Sequence, residues 1–171
     1  MAVDMGALTA DLAAESAELY EVLSVLAETE WHRDTPAAGW TVRDQVTHLA
    51  YFDEAATLSA TDPDRFLAET AELTAEGEDF PDRVAERFRD RSGVEVFAWL
   101  QRARRDYLDT FAPLDPSTSL PWYGPPMSAS YTSWPCAQVS MSRAVTDDAA
   151  LIGGPYQGNC VPGSSAPKVS R

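Results

Sequence analysis

The fold is decided by residues 39–53, GWTVRDQVTHLAYFD. In this stretch Thr41 and Asp44 have the spacing of a capping box, in which side-chain oxygens accept hydrogen bonds from the free amides at the start of a helix. Small and apolar residues then recur at helical intervals: Val46, Leu49, Ala50 and Ala56. The stretch therefore predicts the beginning of an amphipathic helix.

His48 lies inside this helix and is the residue with the most bearing on function. Its position near the apolar face predicts an imidazole that is at least partly buried and needs a partner. Two hypotheses are open: a hydrogen-bond acceptor in a structural role, or a metal ion in a functional one. Spacing alone favours the structural role, because a single helical histidine is more often structural than a metal ligand.

Further helices are predicted on both sides of the His48 helix, which we expect over residues 42–59. Leucines at intervals of three, four and seven along residues 8–26 indicate a first amphipathic helix that ends before Trp31. After the His48 helix, the pair Asp62-Pro63 is typical of a helix start, because the aspartate can cap the first turn and proline suits the first helical position.

That short third helix is expected to stop at Gly77. Apolar residues then recur at helical spacing over residues 81–111, with a kink or a break at Ser92-Gly93. Ala112-Pro113 is expected to end this helix, and residues 115–130 are rich in proline and predict an extended loop that carries the aromatic pair Trp122-Tyr123.

Helices joined by loops, with no alternating strand pattern, predict an all-α protein and specifically an antiparallel four-helix bundle. The count is short by one helix, because these apolar stripes need a fourth to close a core. The only room for it is after Met127, where the helical periodicity fails. We therefore expect the closing helix to be missing or degraded, leaving an apolar groove through which the chain can self-associate.

The composition excludes several classes of function. The 13 basic and 27 acidic residues give a net charge of −14, which repels nucleic-acid backbones and anionic membranes. The first residues have no basic segment and no long apolar run, so neither a signal peptide nor a transmembrane helix is expected. These features favour a soluble cytoplasmic protein.

The composition changes near residue 130. Residues 1–130 carry nearly all of the acidic side chains and the helical pattern, so we expect them to form the helical bundle domain. Residues 131–171 are rich in Ser, Thr, Gly and Pro and predict an irregular tail. The tail holds both cysteines, Cys136 and Cys160, whose spacing fits neither a zinc knuckle nor a disulfide framework, and nothing near Cys136 favours a nucleophile.

Two motifs carry a resemblance to a known family. TPAAGWTVRDQVTHLAYFDEAA, residues 35–56, and LPWYGPPMSA, residues 120–129, are the more specific parts of it. Over about residues 7–130 the chain resembles the mycothiol-dependent maleylpyruvate isomerase N-terminal domain family. That family is a group of DinB-like metal-binding bundles, and its actinobacterial metal-binding branch is the most similar.

The resemblance implies a DinB-like four-helix bundle that binds a divalent metal, zinc or nickel, through three side chains. His48 would be one ligand, and the other two would come from the last helix in a Glu-x-x-x-His or His-x-x-x-His pair that faces one point. Three protein ligands leave a position open for water or a thiolate. The implied activity is isomerisation or transfer that uses a low-molecular-weight thiol such as mycothiol and a small electrophile.

The chain departs from the family pattern after Ser130, where it reads YTSWPCAQVSMSRAVTDD. No histidine follows His48, and Asp147 and Asp148 have no helical partner four residues away. Two of the three ligands are therefore missing. Three hypotheses remain: a thiol-dependent enzyme with an incomplete site, a non-catalytic metal- or ligand-binding module, and an inactive truncated or frameshifted product.

Several other polar and aromatic residues have a structural and a functional interpretation. Asp53 and Glu54 are interpreted as a solvated helix face, with support of the metal ligand as the alternative. A solvated stripe is also the interpretation of three arginines: Arg102, Arg104 and Arg105. His32 is expected at the surface. Trp122 and Tyr123 either wall a substrate pocket or form a rigid plug at the end of the bundle.

The frameshift hypothesis makes a prediction about the gene. We expect the coding DNA beyond the codon for Ser130, translated in the other two frames, to encode a helix with a Glu-x-x-x-His or His-x-x-x-His pair. Sequencing the locus and translating all frames is the measurement. Alternate frames that contain no such pair would show that the departure from the family is genuine.

Overall fold

The structure, a computed structural model, describes residues 3–75, 77 and 79–132. This part of the chain contains six α-helices: α1 (Met5–Ser24), α2 (Val42–Thr61), α3 (Pro63–Thr74), α4 (Phe80–Arg87), α5 (Gly93–Phe111) and α6 (Ala129–Thr132). A 3-10 helix, Glu28–His32, follows α1, and two short strands, β1 (Ser119–Leu120) and β2 (Met127–Ser128), pair antiparallel. The predicted all-α bundle is confirmed.

The start of α2 is set by the predicted capping box. The amide of Asp44 donates to Thr41 Oγ1 at 3.3 Å, and the amide of Thr41 donates to Asp44 Oδ2 at 2.9 Å. Gly39, in the turn before it, has a φ of +80°, a conformation that favours glycine. These local contacts explain why α2 begins at Val42, as predicted, and it continues to Thr61, two residues beyond the expected end.

The predicted break at Ser92-Gly93 is a true break between helices and not a kink. α4 ends at Arg87, and α5 has its own capping box, in which the amide of Glu95 donates to Ser92 Oγ at 3.3 Å. Asp62 caps α3 in the same way, by accepting from the amide of Arg65 at 3.2 Å. Each of these helix starts therefore lies at the residue that the sequence indicates.

The three long helices do not all alternate in direction. Asp44, at the start of α2, forms an ion pair at 3.2 Å with Arg89, which lies just before α5. Asp53, in the middle of α2, forms an ion pair at 2.6 Å with Arg104, near the middle of α5. α2 and α5 therefore run parallel, because α3 and α4 carry the chain back across the bundle. α1 is antiparallel to both, since its last turns pack against the first halves of α2 and α5.

The apolar core consists of two clusters of buried side chains. The first joins the end of α1 to the first halves of α2 and α5, and includes Leu19, Leu23, Trp31, Val46, Leu49, Val96, Trp99 and Leu100. The second joins the start of α1 to the end of α5 and to the loop beyond it, and includes Met5, Leu12, Ala56, Tyr107, Phe111, Leu120 and Ala129. A polar layer separates the two.

Most of the predicted tail lies outside the described residues, which end at Thr132. Cys136, Cys160 and the departure from the family pattern fall there, so the boundary at residue 130 and the exposed groove stay predictions. No helix in the described ranges is long and apolar enough to cross a membrane.

A glycine contact tests the packing of α5 against the 3-10 helix. A Cβ added at Gly93 would lie 2.3 Å from the indole of Trp31, which is 2% exposed and cannot move aside freely. We expect Gly93→Ala to destabilise the protein by about 1–3 kcal/mol, the usual cost of overpacking. The measurement is the midpoint of urea unfolding.

The matched control is Gly124→Ala. A Cβ at that position meets nothing within 4 Å, so the stability should stay close to that of the wild type. Equal stability of the two variants would contradict the packing described for Trp31.

Candidate functional site

His48 lies in the second turn of α2, between two aromatic rings. Its imidazole centroid is 5.2 Å from the ring of Trp40 and 4.4 Å from that of Phe52. The indole of Trp40 is held in place because its Nε1 donates to Asp82 Oδ1 at 2.6 Å. The histidine is therefore fixed in largely apolar surroundings by elements on both sides of it.

The Nδ1 atom of His48 is buried and has no hydrogen-bond partner in the described part of the chain. Burial lowers the pKa of the imidazole to about 4, so His48 is neutral at neutral pH. A neutral imidazole keeps one nitrogen lone pair, the form that binds a metal ion. The hydrogen-bond acceptor expected under the structural hypothesis is not among the described residues.

Two of the three carboxylates that share α2 with His48 are engaged elsewhere. Asp44 forms the capping box and pairs with Arg89, and Asp53 pairs with Arg104. Over the described ranges no group of three or more His, Cys, Asp or Glu side chains converges to hold a metal ion. Among the described residues, His48 is therefore a single donor and not part of an assembled triad.

Asp53 and Arg104 correct two of the sequence predictions, which placed both on solvated faces. Their side chains are only 3% and 5% exposed, and the guanidinium Nε lies 2.6 Å from Asp53 Oδ2. Arg104 also donates from Nη1 to Ser16 Oγ at 3.0 Å. The predictions were wrong because these residues lie on the inner faces of α2 and α5, where each charge neutralises the other.

Burial raises the pKa of the Asp53 carboxyl to about 6, and the charge and hydrogen bond of Arg104 act in the opposite direction.

The neighbouring charged residues lie at the surface, as predicted. Glu54, Arg102 and Arg105 are exposed. His32 is also exposed, with its Nε2 at 3.9 Å from Glu28 Oε1, which confirms the surface position.

Trp122 and Tyr123 pack as a rigid plug, one of the two alternatives predicted for them. Trp122 stacks on Phe66 with ring centroids 5.9 Å apart, and Tyr123 stacks on Phe80 at 4.9 Å. The loop is fastened by Ser59, whose Oγ donates to the carbonyl of Pro121 at 2.6 Å. This is the rigid plug, but Tyr123 also lines a cavity of about 380 Å³ between α2, α3 and α5.

Sequence reasoning did not find the other walls of that cavity, notably Tyr51, Phe66 and Asp106. They come from three separate helices, so no local spacing connects them. The local sequence gives one indication of an aromatic surface here, the pair Tyr51-Phe52, which follows His48 within about one turn of the same helix.

The family model described as the mycothiol maleylpyruvate isomerase N-terminal domain matches residues 12–141 of the chain. This chain belongs to that family. The match includes both motifs described above, and it continues past residue 130 to residue 141. His48 and the Trp122-Tyr123 loop therefore lie in the part of the chain that the family shares.

Two relatives come from Mycobacterium tuberculosis, one from strain CDC 1551 / Oshkosh and the other from strain ATCC 25618 / H37Rv. Both are described as uncharacterised proteins, and each is 32% identical over 126 residues, 74% of this chain and 49% of the relative. The chain thus spans about half the length of these relatives. No solved structure matches it.

The partly buried imidazole of His48 predicts a pH dependence of stability. Between the ordinary pKa of 6.5 and about 4, the unfolded chain binds a proton at His48 that the folded chain does not. The free energy of unfolding is therefore not reduced by His48 above pH 6.5, and it decreases as the pH falls from 6.5 towards 4. The loss amounts to at most about 3 kcal/mol.

The measurement is urea unfolding of metal-free wild type and His48→Gln at several pH values from 7 to 4. We expect the free energy of unfolding of the wild type, relative to that of His48→Gln, to decrease as the pH falls. Asp53 titrates in the same range with the opposite sign, but its contribution cancels in this difference. His32→Gln, which alters the exposed histidine, is the control. Parallel pH profiles for wild type and His48→Gln would contradict the burial of His48.

Proposed function

We propose that this chain is a divalent-metal-binding bundle related to the mycothiol-dependent isomerases and transferases, with His48 as one ligand of an incomplete site. The observation that carries the proposal is the buried Nδ1 of His48, which has no partner among the described residues. A buried nitrogen without a hydrogen bond costs about 1–3 kcal/mol, so its presence needs an explanation. Membership of the family supports a metal ligand as that explanation.

The residues around His48 fit one ligand and not a whole site. Trp40 and Phe52 limit the access of water to the ring, and Asp82 holds Trp40 in position. Catalytic zinc sites use three protein ligands, and the described ranges supply one. A resident metal ion therefore does not fit the described residues, and a single imidazole does not fix an ion in one position.

In a complete site of this class, the metal would stabilise a thiolate or polarise a carbonyl at its open position. The ligands we propose accordingly are zinc or nickel, a small thiol of the mycothiol type and a small electrophile. Such thiols are kept reduced in the cytoplasm, which is where we propose the protein acts. The net charge of −14 disfavours nucleic acids and anionic membranes as partners.

A second candidate function is a ligand-binding module without catalysis. It is favoured by the cavity of about 380 Å³ at Tyr123, a volume within the usual range for small-molecule sites. Turnover of maleylpyruvate-like electrophiles in the presence of a thiol distinguishes the two functions, because only the enzyme consumes the substrate.

Metal binding gives the direct test. We expect zinc or nickel to bind wild-type protein weakly and to be lost on dialysis, because stable sites need three or four ligands. His48→Gln should abolish this weak binding, and His32→Gln should retain it. The measurements are isothermal titration with each ion and elemental analysis before and after dialysis.

Two results would contradict the proposal in different ways. One metal ion per chain retained through dialysis would show that the site is complete. Equal metal binding by wild type and His48→Gln would show that His48 is not a ligand.

A further inference from the structure

The cavity at Tyr123 is a separate site from His48. It lies between the last half of α2, α3 and the second half of α5, and the loop after β1 closes one side of it. Its volume is about 380 Å³, and it is open to solvent at its rim. His48 is not among the residues that line it.

Three aromatic side chains form the walls of this cavity: Tyr51, Phe66 and Tyr123. They are held by one another and by their neighbours. The ring of Tyr123 is 5.4 Å from that of Phe66, and Phe66 is 2% exposed. Because Phe66 stacks on Trp122 and Tyr123 stacks on Phe80, the walls are fixed before a ligand arrives.

The charges on the cavity are mostly negative. Three carboxylates line it, Glu54, Glu69 and Asp106, against one guanidinium, that of Arg65. Arg65 is already paired with Glu69 at 2.7 Å, and both side chains are more than half exposed. Glu54 and Asp106 form no ion pair in the described part of the chain. Within the described ranges, the cavity therefore keeps two carboxylates without a counter-charge.

We propose that this cavity binds a small organic cation, of the alkylammonium class. The negative faces of aromatic rings attract ammonium groups, and Glu54 and Asp106 would supply the neutralising charge. The guanidinium of Arg65 is the one positive charge among the described lining residues, and its pairing with Glu69 leaves no free cation there to attract an anion. Burial raises the pKa of Tyr123, and Tyr51 and Glu69 raise it further, so its hydroxyl stays protonated.

The test compares choline with dimethylbutanol, its uncharged carbon analogue of the same shape, by isothermal titration. We expect wild-type protein to bind choline about tenfold more tightly than dimethylbutanol. The double variant Glu54→Gln/Asp106→Asn should weaken choline binding about tenfold, because it removes the two unpaired charges. Both residues are exposed, so the fold should persist, which circular dichroism checks.

The matched control is Glu18→Gln/Glu21→Gln on α1, which changes the net charge by the same amount at exposed positions away from the cavity. Choline binding should be unchanged in this control. All titrations use metal-free protein, which makes the result independent of the proposed metal site.

Three outcomes overturn the proposal. Absence of choline binding to wild-type protein removes the site altogether. Equal binding of choline and dimethylbutanol shows an apolar pocket with no preference for charge. Equal weakening in the two double variants shows that the general negative charge of the chain attracts the cation, and not the cavity.

Discussion

The buried ion pair between Asp53 and Arg104 is the constraint on which the arrangement of the long helices depends. Asp53 lies on α2, Arg104 on α5, and the Ser16 hydroxyl that accepts from Arg104 lies on α1. Removing one partner of such a pair leaves a buried charge and costs about 3–5 kcal/mol. A sliding movement of any of the three helices would separate these groups, so the contacts define one register for all three.

The pair also explains why the core is divided. On α1, Ser16 lies between Leu12 of the second cluster and Leu19 of the first, and Asp53 and Arg104 hold equivalent places on α2 and α5. Apolar packing alone is not directional, and helices with similar stripes can pack at more than one register. The hydrogen bonds and the ion pair of the polar layer can form at only one register, so this layer removes that freedom. His48 lies on the same rigid helix as Asp53, so its position relative to α5 is fixed as well.

Helix starts were predictable from the sequence, because their hydrogen bonds join residues close in the chain. The capping box of Thr41 and Asp44 and the cap at Asp62 are examples, since each contact spans three residues. Asp53 and Arg104 are 51 residues apart, so the local sequence does not show that they are partners. Each was therefore predicted to lie on a solvated face. The walls of the cavity other than Tyr123 were missed for the same reason, because they come from three helices.

The aromatic loop connects the two sites that the structure suggests. The ring centroid of Phe52 lies 4.4 Å from that of the His48 imidazole and 5.4 Å from that of Tyr123. Tyr123 in turn belongs to the wall of the cavity. Close-packed rings transmit displacement because they have no space to absorb it. A ligand that shifts Tyr123 must therefore move Phe52 or be resisted by it, so the surroundings of the His48 nitrogen and the shape of the cavity are linked through a single ring.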